Sequence, residues 1–241
     1  MHAAPHVSLS AQLTLERRLN TLALNLANVN TVGYRATGVS FHELVSRTDH
    51  DPVAFASTGR DFISRATGPL IQTGNPLDVA VQGEGFFAMQ TPRGIVYTRD
   101  GRMRLQPNGA LESLDGYPIL DAGGAAILLD PDGGMPNIAS DGLITQGGRQ
   151  LGAIGLFQLP SDAHLARFEN SGVIPDKPAT PVLDFARNGV VQRAVEGSNI
   201  NPILEMTKLI TLQRTFEGVT GGSSSSESSL KDAVRILGGA S

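Results

Sequence analysis

The sequence contains no cysteine and no tryptophan, and aromatic residues make up only 5% of its 241 positions. The absence of cysteine excludes disulfides, thiol nucleophiles and cysteine-based metal sites. So few aromatic side chains disfavour the dense apolar core of a typical enzyme. No apolar run approaches the roughly 20 residues that a transmembrane helix needs.

Strong charge of either sign is also lacking, since the formal net charge is −4. A nearly balanced chain offers no basic footprint for nucleic acid or for an anionic membrane. The first residues, MHAAPHVSLSAQ, lack a basic stretch followed by an apolar segment. We therefore expect no cleavable signal peptide, and a different export route if the protein leaves the cytoplasm.

The N-terminal region carries a helical pattern. Apolar residues recur there at steps of four, three, four and three, which is the spacing of a heptad seam; they are Leu15, Leu19, Leu22, Leu26 and Val29. We predict a helix from about residue 7 to about residue 29, ending at the asparagines because asparagine tolerates the left-handed conformation. Gly33 then permits a second sharp bend.

Between residues 68 and 159 the pattern becomes that of short strands. The chain has 28 glycines in 241 residues, which is well above the usual share of about 7%. Asp100–Gly101, Asn108–Gly109 and Asp115–Gly116 are pairs preferred in two-residue hairpin turns. We predict an antiparallel meander, then a surface loop over residues 160–181, which hold four prolines, and a further strand near residues 189–199.

A second helical pattern follows Asn201 and Pro202, a good N-cap and a good first helical residue. Its heptad seam consists of Leu209, Leu212, Phe216 and Val219, and continues in register to Leu230 and Leu237. Between them lies the tract GGSSSSESS, residues 221–229, whose composition is typical of a linker. We predict that this tract interrupts the helix.

These patterns predict a mixed α+β fold. The N- and C-terminal helices are expected to pair as a coiled-coil-like stem, with a β-rich antiparallel middle domain between them. The expected division is 1–33 for the first stem helix, 34–198 for the middle domain and 199–241 for the second stem helix. The alternative is that each helix packs separately on the β domain, but the narrow stripes favour the stem.

One glycine-rich segment imitates a nucleotide-binding motif. Gly83, Gly85 and Ala88 match G-x-G-x-x-A after a predicted strand, but a dinucleotide site needs a helix to begin there. Pro92 and Gly94 follow too soon for such a helix. We interpret the segment as a tight hairpin.

Other motifs that could carry chemistry are equally weak. DPDGG, residues 130–134, begins like a calcium loop, but Met135 occupies the position that needs glycine, so a plain turn is favoured. The histidines are scattered without metal-ligand spacing: His2, His6, His42, His50 and His164. We predict no catalytic residue, no cofactor and no metal site.

Three segments, NLANVNTVGYRA, TGNPLDVAVQGEGFFAMQT and VEGSNINPILEMTKLITLQRTFE, together resemble a known family, the flagellar basal-body rod and hook proteins. NLANVNTVGYRA (residues 25–36) is similar to its N-terminal signature, and TGNPLDVAVQGEGFFAMQT (73–91) to its shared middle segment. VEGSNINPILEMTKLITLQRTFE (195–217) resembles its C-terminal signature. The segments occur in the family's order and cover both ends and the middle, although the serine tract departs from the family pattern.

The resemblance implies a structural protein and not an enzyme. Family members assemble through terminal helices into a hollow helical rod that crosses the periplasm and transmits torque to the hook. The implied partners are other rod subunits, proximal and distal, and the flagellar type III export apparatus, with no nucleic acid and no small-molecule substrate. Length and opening resemble proximal rod members most and distal members second.

The seams and the asparagines together form the expected assembly interface. Its predicted residues are Leu15, Leu19, Leu22, Leu26, Asn25, Asn28, Asn30, Leu209, Leu212, Phe216, Val219, Leu230 and Leu237. The competing class is a secreted β-rich adhesin or enzyme with a helical stem. An enzyme would show a concave site with convergent polar groups.

Overall fold

The computed structural model describes residues 3–40, 43–46, 53–56 and 59–239. These residues form two helices and nineteen short strands. In chain order, the elements are α1 (Ala3–Ala27), β1 (Thr37–Ser40), β2 (Glu43–Ser46), β3 (Val53–Ala56), β4 (Arg60–Ile63), β5 (Leu70–Gln72), β6 (Val79–Gln82), β7 (Phe86–Thr91), β8 (Gly94–Thr98), β9 (Met103–Leu105), β10 (Leu111–Ser113), β11 (Asn137–Ile138), β12 (Leu143–Gln146), β13 (Arg149–Ala153), β14 (Leu156–Gln158), β15 (Leu165–Phe168), β16 (Gly172–Pro175), β17 (Thr180–Pro181), β18 (Gly189–Gln192), β19 (Ala194–Glu196) and α2 (Pro202–Gly238). Terminal helices around a β-rich middle confirm the predicted mixed α+β class.

The chain divides into two compact units. The helical unit comprises Met1–Ala27, Thr37–Phe62 and Asn201–Ser241, and the β-rich unit comprises Asn28–Ala36 and Ile63–Ile200. Residues 37–62 therefore group with the helices, whereas the division drawn from the sequence assigned them to the middle domain. Within the helical unit, α1 contacts α2, β1 and β3.

Helix α1 begins at Ala3, earlier than expected, and ends at Ala27. The asparagine-rich segment after it forms a turn, in which the backbone N–H of Thr31 donates to the carbonyl of Asn28 at 3.1 Å. Gly33 has a φ of 69°, as the expected second bend requires.

Helix α2 begins as predicted. The side chain of Asn201 accepts hydrogen bonds from the backbone N–H groups of Ile203 and Leu204, both at 3.1 Å, and Pro202 is the first helical residue. The predicted interruption at residues 221–229 is wrong, because the helix runs through the tract to Gly238. Once a helix is nucleated, each further residue adds a backbone hydrogen bond, and this gain offsets the moderate helix propensity of serine.

The strands of the β-rich unit form several small sheets. The largest has six strands in the order β15-β16-β8-β7-β14-β17, and all its described pairings are antiparallel. Consecutive strands pair in β7–β8, β9–β10, β11–β12–β13 and β15–β16, so the predicted meander is present only locally. The last two strands return to the start of the unit, where β18 pairs with β6 and β19 with β5.

Three local predictions in this unit are wrong, one about a loop and two about turns. Residues 160–181 are not a plain loop, because β15 and β16 form a hairpin that extends the main sheet through β8. Two of the four prolines are compatible with this: Pro175 ends β16, and Pro181 lies on the edge strand β17, where no further partner needs a backbone donor.

Two of the predicted hairpin turns instead connect different sheets. The turn at Gly83 joins β6, which pairs with β18, to β7, which pairs with β8. Asp100–Gly101 likewise joins β8 to β9, which pairs with β10. Glycine is needed at position 101 because a Cβ there would lie 1.7 Å from the carbonyl oxygen of Val79. Asn108–Gly109 does form the predicted β9–β10 hairpin turn.

The core of the β-rich unit lies on both faces of the main sheet. Successive residues of β7 alternate between two apolar clusters, with Phe87 and Met89 in one and Phe86 and Ala88 in the other. This follows from the two-residue period of a strand that is buried on both sides. Among the described residues, no helix is long and apolar enough to cross a membrane.

Candidate assembly site

The predicted seam of α1 lies on one partly covered face. Leu15, Leu19, Leu22 and Leu26 are each half-buried, while Leu9, Leu13 and Leu24 of the same helix are exposed. The helical unit therefore leaves apolar surface of α1 in contact with solvent. Such surface in a helix commonly marks an interaction site.

The seam of α2 shows the same half-burial. Leu209, Leu212, Phe216 and Val219 are half-buried, and the residues between them are exposed. Several further apolar side chains of α2 are also exposed: Ile203, Leu204, Met206, Ile210 and Ile236. The predicted seam positions Leu230 and Leu237 lie outside the residues whose side chains are described.

The three predicted interface asparagines differ sharply in environment. Asn30 is exposed, whereas Asn28 is half-buried and its side-chain oxygen accepts a hydrogen bond from the hydroxyl of Thr31 at 3.0 Å. Asn25 is only 4% exposed. The structure therefore places Asn25 inside the helical unit and not on a surface open to another subunit.

The side chain of Asn25 contacts two other elements of the helical unit, β1 and α2. Its side-chain oxygen accepts from the backbone N–H of Thr37, and its amide donates to the carbonyl of the same residue, both at 2.9 Å. The same amide nitrogen lies 3.4 Å from Oε2 of Glu205, in the first turn of α2. Glu205 Oε1 also accepts from Lys208 at 2.7 Å.

In the β-rich unit, a buried ion cluster holds the segments that continue into the two helices. We call Arg35, Arg99 and Glu196 the junction clamp. Glu196 Oε1 lies 2.7 Å from Arg35 Nη2, and Oε2 accepts from Arg99 Nη1 at 2.8 Å. None of the three residues is more than 2% exposed. The backbone N–H of Gly68 also donates to Oε1, at 2.9 Å.

The backbone of residues 33–36, which follow α1 in the chain, is bonded along its length. Gly33 N–H donates to the carbonyl of Glu196 at 2.8 Å. The Tyr34 carbonyl accepts from the N–H of Asn199, whose side-chain oxygen in turn accepts from the N–H of Ala36 at 2.8 Å. The end of the β-rich unit near α2 thus fixes the segment that comes after α1.

Burial shapes the electrostatics of this clamp. Desolvation lowers the pKa of Arg35 to about 10, although the charge of Glu196 opposes the shift, and burial also lowers the pKa of Arg99. Arg35 therefore remains a cation at neutral pH. Arg167 extends the cluster, because its guanidinium lies 4.4 Å from the ring centroid of Tyr34 and donates to the carbonyl of Arg35.

A polar cleft of about 560 Å³ also opens in the β-rich unit. Its side chains already bond to one another, since Tyr117 donates to Glu169 at 2.8 Å and Arg102 pairs with Asp100 at 2.6 Å. No group of three or more histidine, aspartate or glutamate residues that could hold a metal occurs in the described part of the chain. Tyr117, Glu169, Arg102 and Asp100, which line the cleft, are thus already paired within the chain.

Three family models match this chain in sequence order. They are described as flagella basal body rod protein (residues 6–35), flagellar hook protein FlgE/F/G D1 domain (80–146) and flagellar basal body rod FlgEFG protein C-terminal (191–236). The flagellar basal-body rod protein FlgF of Mesorhizobium japonicum is 48% identical over 99% of both chains. The chain belongs to the FlgF family of flagellar basal-body rod proteins.

Other relatives support the same placement. FlgF of Rhizobium meliloti is 44% identical over 99% of both chains. The rod protein FlgG of Bacillus subtilis is 28% identical over 95% of this chain and 96% of its own. FlgF is therefore favoured over FlgG, as the sequence resemblance indicated. By name, all three relatives are flagellar basal-body rod proteins.

The FlgF-family matches also include residues whose roles the sequence alone did not reveal. Arg35 lies in the N-terminal match, and Glu196 and Glu205 lie in the C-terminal match. The one available signal for Glu196 was an acidic residue at the end of a short apolar strand, which needs a buried partner. Nothing in the sequence indicated that the partners were Arg35 and Arg99.

Proposed function

We propose that the chain is a structural subunit of the flagellar basal-body rod, and that α1 and α2 carry its contacts with neighbouring subunits. The observation that carries the assembly role is the half-burial of both seams together with the exposed apolar side chains on the same helices. Isolated apolar stripes of this kind are stabilised when another helix covers them.

The proposed stem consists of residues 1–33 and 199–241, paired as a coiled coil, and the proposed β-rich body is 34–198, of which residues 37–62 group with the helices. Covering apolar surface contributes about 25 cal/mol for each Å² removed from water, so subunit contacts would add stability that the single chain lacks. Head-to-tail contacts between unlike surfaces generate an open helical assembly. In the proposed function, the stems assembled in this way form a hollow shaft, and this shaft transmits torque.

The proposed location is the periplasmic rod of the basal body, reached through the flagellar type III export apparatus without a cleaved signal peptide. The family supports a basal-body location. The export route is the one that the resemblance to basal-body rod proteins implies. The expected neighbours are proximal and distal rod subunits, and a distal rod role is the less favoured alternative.

The test replaces seam residues in a strain whose only copy of the gene is the variant. Leu19→Asp and Leu22→Asp place a charge on the half-buried face of α1, and we expect loss of swimming and of complete rods in electron micrographs of basal bodies. Asn20→Asp adds a charge at an exposed position of the same helix and should swim normally.

Folding of the variants is checked separately. Among the residues whose side chains the structure describes, none from α1 belongs to the two apolar clusters of the β-rich unit, so the purified Leu19→Asp protein should keep the β-sheet circular dichroism of the parent. Normal rods and swimming in both seam variants would contradict the assembly role of α1. Loss of the β-sheet signal would show that α1 is needed for folding, which also contradicts the proposal.

A further inference from the structure

In each helix, the most buried side chain among those described is polar. Asn25 is the one buried residue of α1 over residues 9–27, at 4% exposure, and Glu205 is the one buried residue of α2 over residues 202–222, at 9%. These two side chains contact each other, although they are 180 positions apart. The leucines around them are only half-buried.

We propose that Asn25 and Glu205 form a register key that determines how α1 and α2 align. Glu205 precedes Leu209 by four residues and therefore continues the α2 seam toward its N-terminus. A half-buried row of leucines is similar in every heptad and discriminates poorly between alignments. The Asn25 amide and Glu205 Oε2 meet in this alignment alone, and a buried carboxylate oxygen that loses its donor is costly, so the pair discriminates strongly between alignments.

The surroundings hold each half of the key in a fixed orientation. Both polar atoms of the Asn25 side chain bond to the backbone of Thr37, which prevents the amide from turning toward another partner. Lys208 bonds to Oε1 of Glu205, leaving Oε2 to face Asn25. A slip of α2 by one heptad would place Leu212 where Glu205 lies and would leave both polar groups buried without each other.

The experiment measures the alignment directly in the full-length, monomeric chain, so its result does not depend on rod assembly. Because the chain has no cysteine, Asn20→Cys and Arg214→Cys introduce two unique, exposed attachment sites for nitroxide labels. Double electron–electron resonance then gives the distribution of distances between α1 and α2. We expect one narrow distance for the labelled parent.

The variants separate alignment from stability. Glu205→Gln keeps an acceptor for the Asn25 amide and should preserve the narrow distance. Asn25→Leu combined with Glu205→Leu removes the key but keeps an apolar contact, so the helices should stay formed while the distance distribution broadens or moves, since a slip of one heptad displaces α2 along α1 by about 10 Å. Glu217→Leu, at an exposed position of α2, is the matched control and should change nothing.

Any of three results would overturn the proposal. An unchanged narrow distance in the double leucine variant would show that the leucine seams alone set the alignment. Loss of helical circular dichroism in that variant would show that the pair stabilises the helices and does not select their register. A broadened distance in the Glu217→Leu control would also count against a specific role for Glu205.

Discussion

Glu196 Oε2 accepts a hydrogen bond from Arg99 Nη1 at 2.8 Å, although the two residues are 97 positions apart in the chain. The other oxygen of the same carboxylate faces Arg35. One anion therefore stands between two cations, and each of the three residues is almost completely buried. The energetic consequence is that removing Glu196 alone would leave two buried cations without the anion that they share.

The first prediction concerns the dependence of the two buried arginines on Glu196. Glu196→Leu should destabilise the chain by about 3–5 kcal/mol, because two guanidinium groups stay buried without their carboxylate. The triple variant Arg35→Met, Arg99→Met, Glu196→Leu should lose much less stability, since no uncompensated charge remains. Urea denaturation followed by circular dichroism measures both. A triple variant as unstable as the sum of its single variants would contradict this account.

The second prediction concerns Gly33. A Cβ at this position would lie 2.3 Å from the backbone nitrogen of Asp100, and φ is 69°. Gly33→Ala should therefore destabilise the β-rich unit by more than the about 1–2 kcal/mol that a left-handed alanine costs by itself. Gly74→Ala is the matched control, since φ there is 78° and nothing lies within 4 Å. Equal losses of stability in the two variants would show that the close approach to Asp100 is unimportant.

The third prediction concerns the glycines of α2. A Cβ at Gly218, Gly221 or Gly222 would meet nothing within 4 Å. Replacing each by alanine should stabilise the helix by up to about 1 kcal/mol and raise the helical circular dichroism signal at 222 nm. Gly221→Pro should lower the same signal. If neither change alters the signal at 222 nm, the tract is not helical in solution, and the interruption predicted from its composition is correct.

The fourth prediction concerns the tyrosines, which titrate without interference because the chain has no tryptophan. Burial raises the pKa of Tyr97, and the hydrogen bond to Glu169 raises the pKa of Tyr117. Absorbance at 295 nm should show both ionising above pH 10. Glu169→Gln should bring Tyr117 back toward its ordinary pKa and leave Tyr97 unchanged. Two tyrosines that titrate normally in the parent chain would contradict this.

The sign of the stability effect follows from these shifts. A phenol whose pKa is raised by folding keeps its proton longer in the folded state. Its contribution to stability is therefore complete below the unfolded pKa of about 10 and is lost as the pH rises through the folded value. The midpoint of thermal unfolding should accordingly fall as the pH increases above 10.

The sequence predicted the features that depend on local chemistry. Asn201 and Pro202 start a helix, the asparagines after Ala27 end one, and Asn108–Gly109 closes a hairpin, because each of these depends on residues that are neighbours in the chain. The stripe at Leu209 and Leu212 was visible for the same reason, since a helical period is a local property.

The features that were missed depend on residues far apart in sequence. Asp100–Gly101 was assigned to a hairpin because its composition suits one, but the strands on either side find partners elsewhere. The pairing of Glu196 with Arg35 requires the return of β19 to β5, which no periodicity reveals. For Asn25, the pattern indicated an important polar residue but not that its partners are Thr37 and Glu205.

The bond pair between Asn25 and Thr37 has a further consequence for the sheet edge. By accepting from the N–H and donating to the C=O of one residue, the asparagine side chain imitates the peptide group of a neighbouring strand. The first residue of β1 consequently presents no vacant backbone groups to a passing chain. Edge strands that lack such protection recruit foreign strands and start aggregation. Asn25 thus protects the first residue of β1 from pairing with another chain, in the same unit whose helices we propose as the assembly surface.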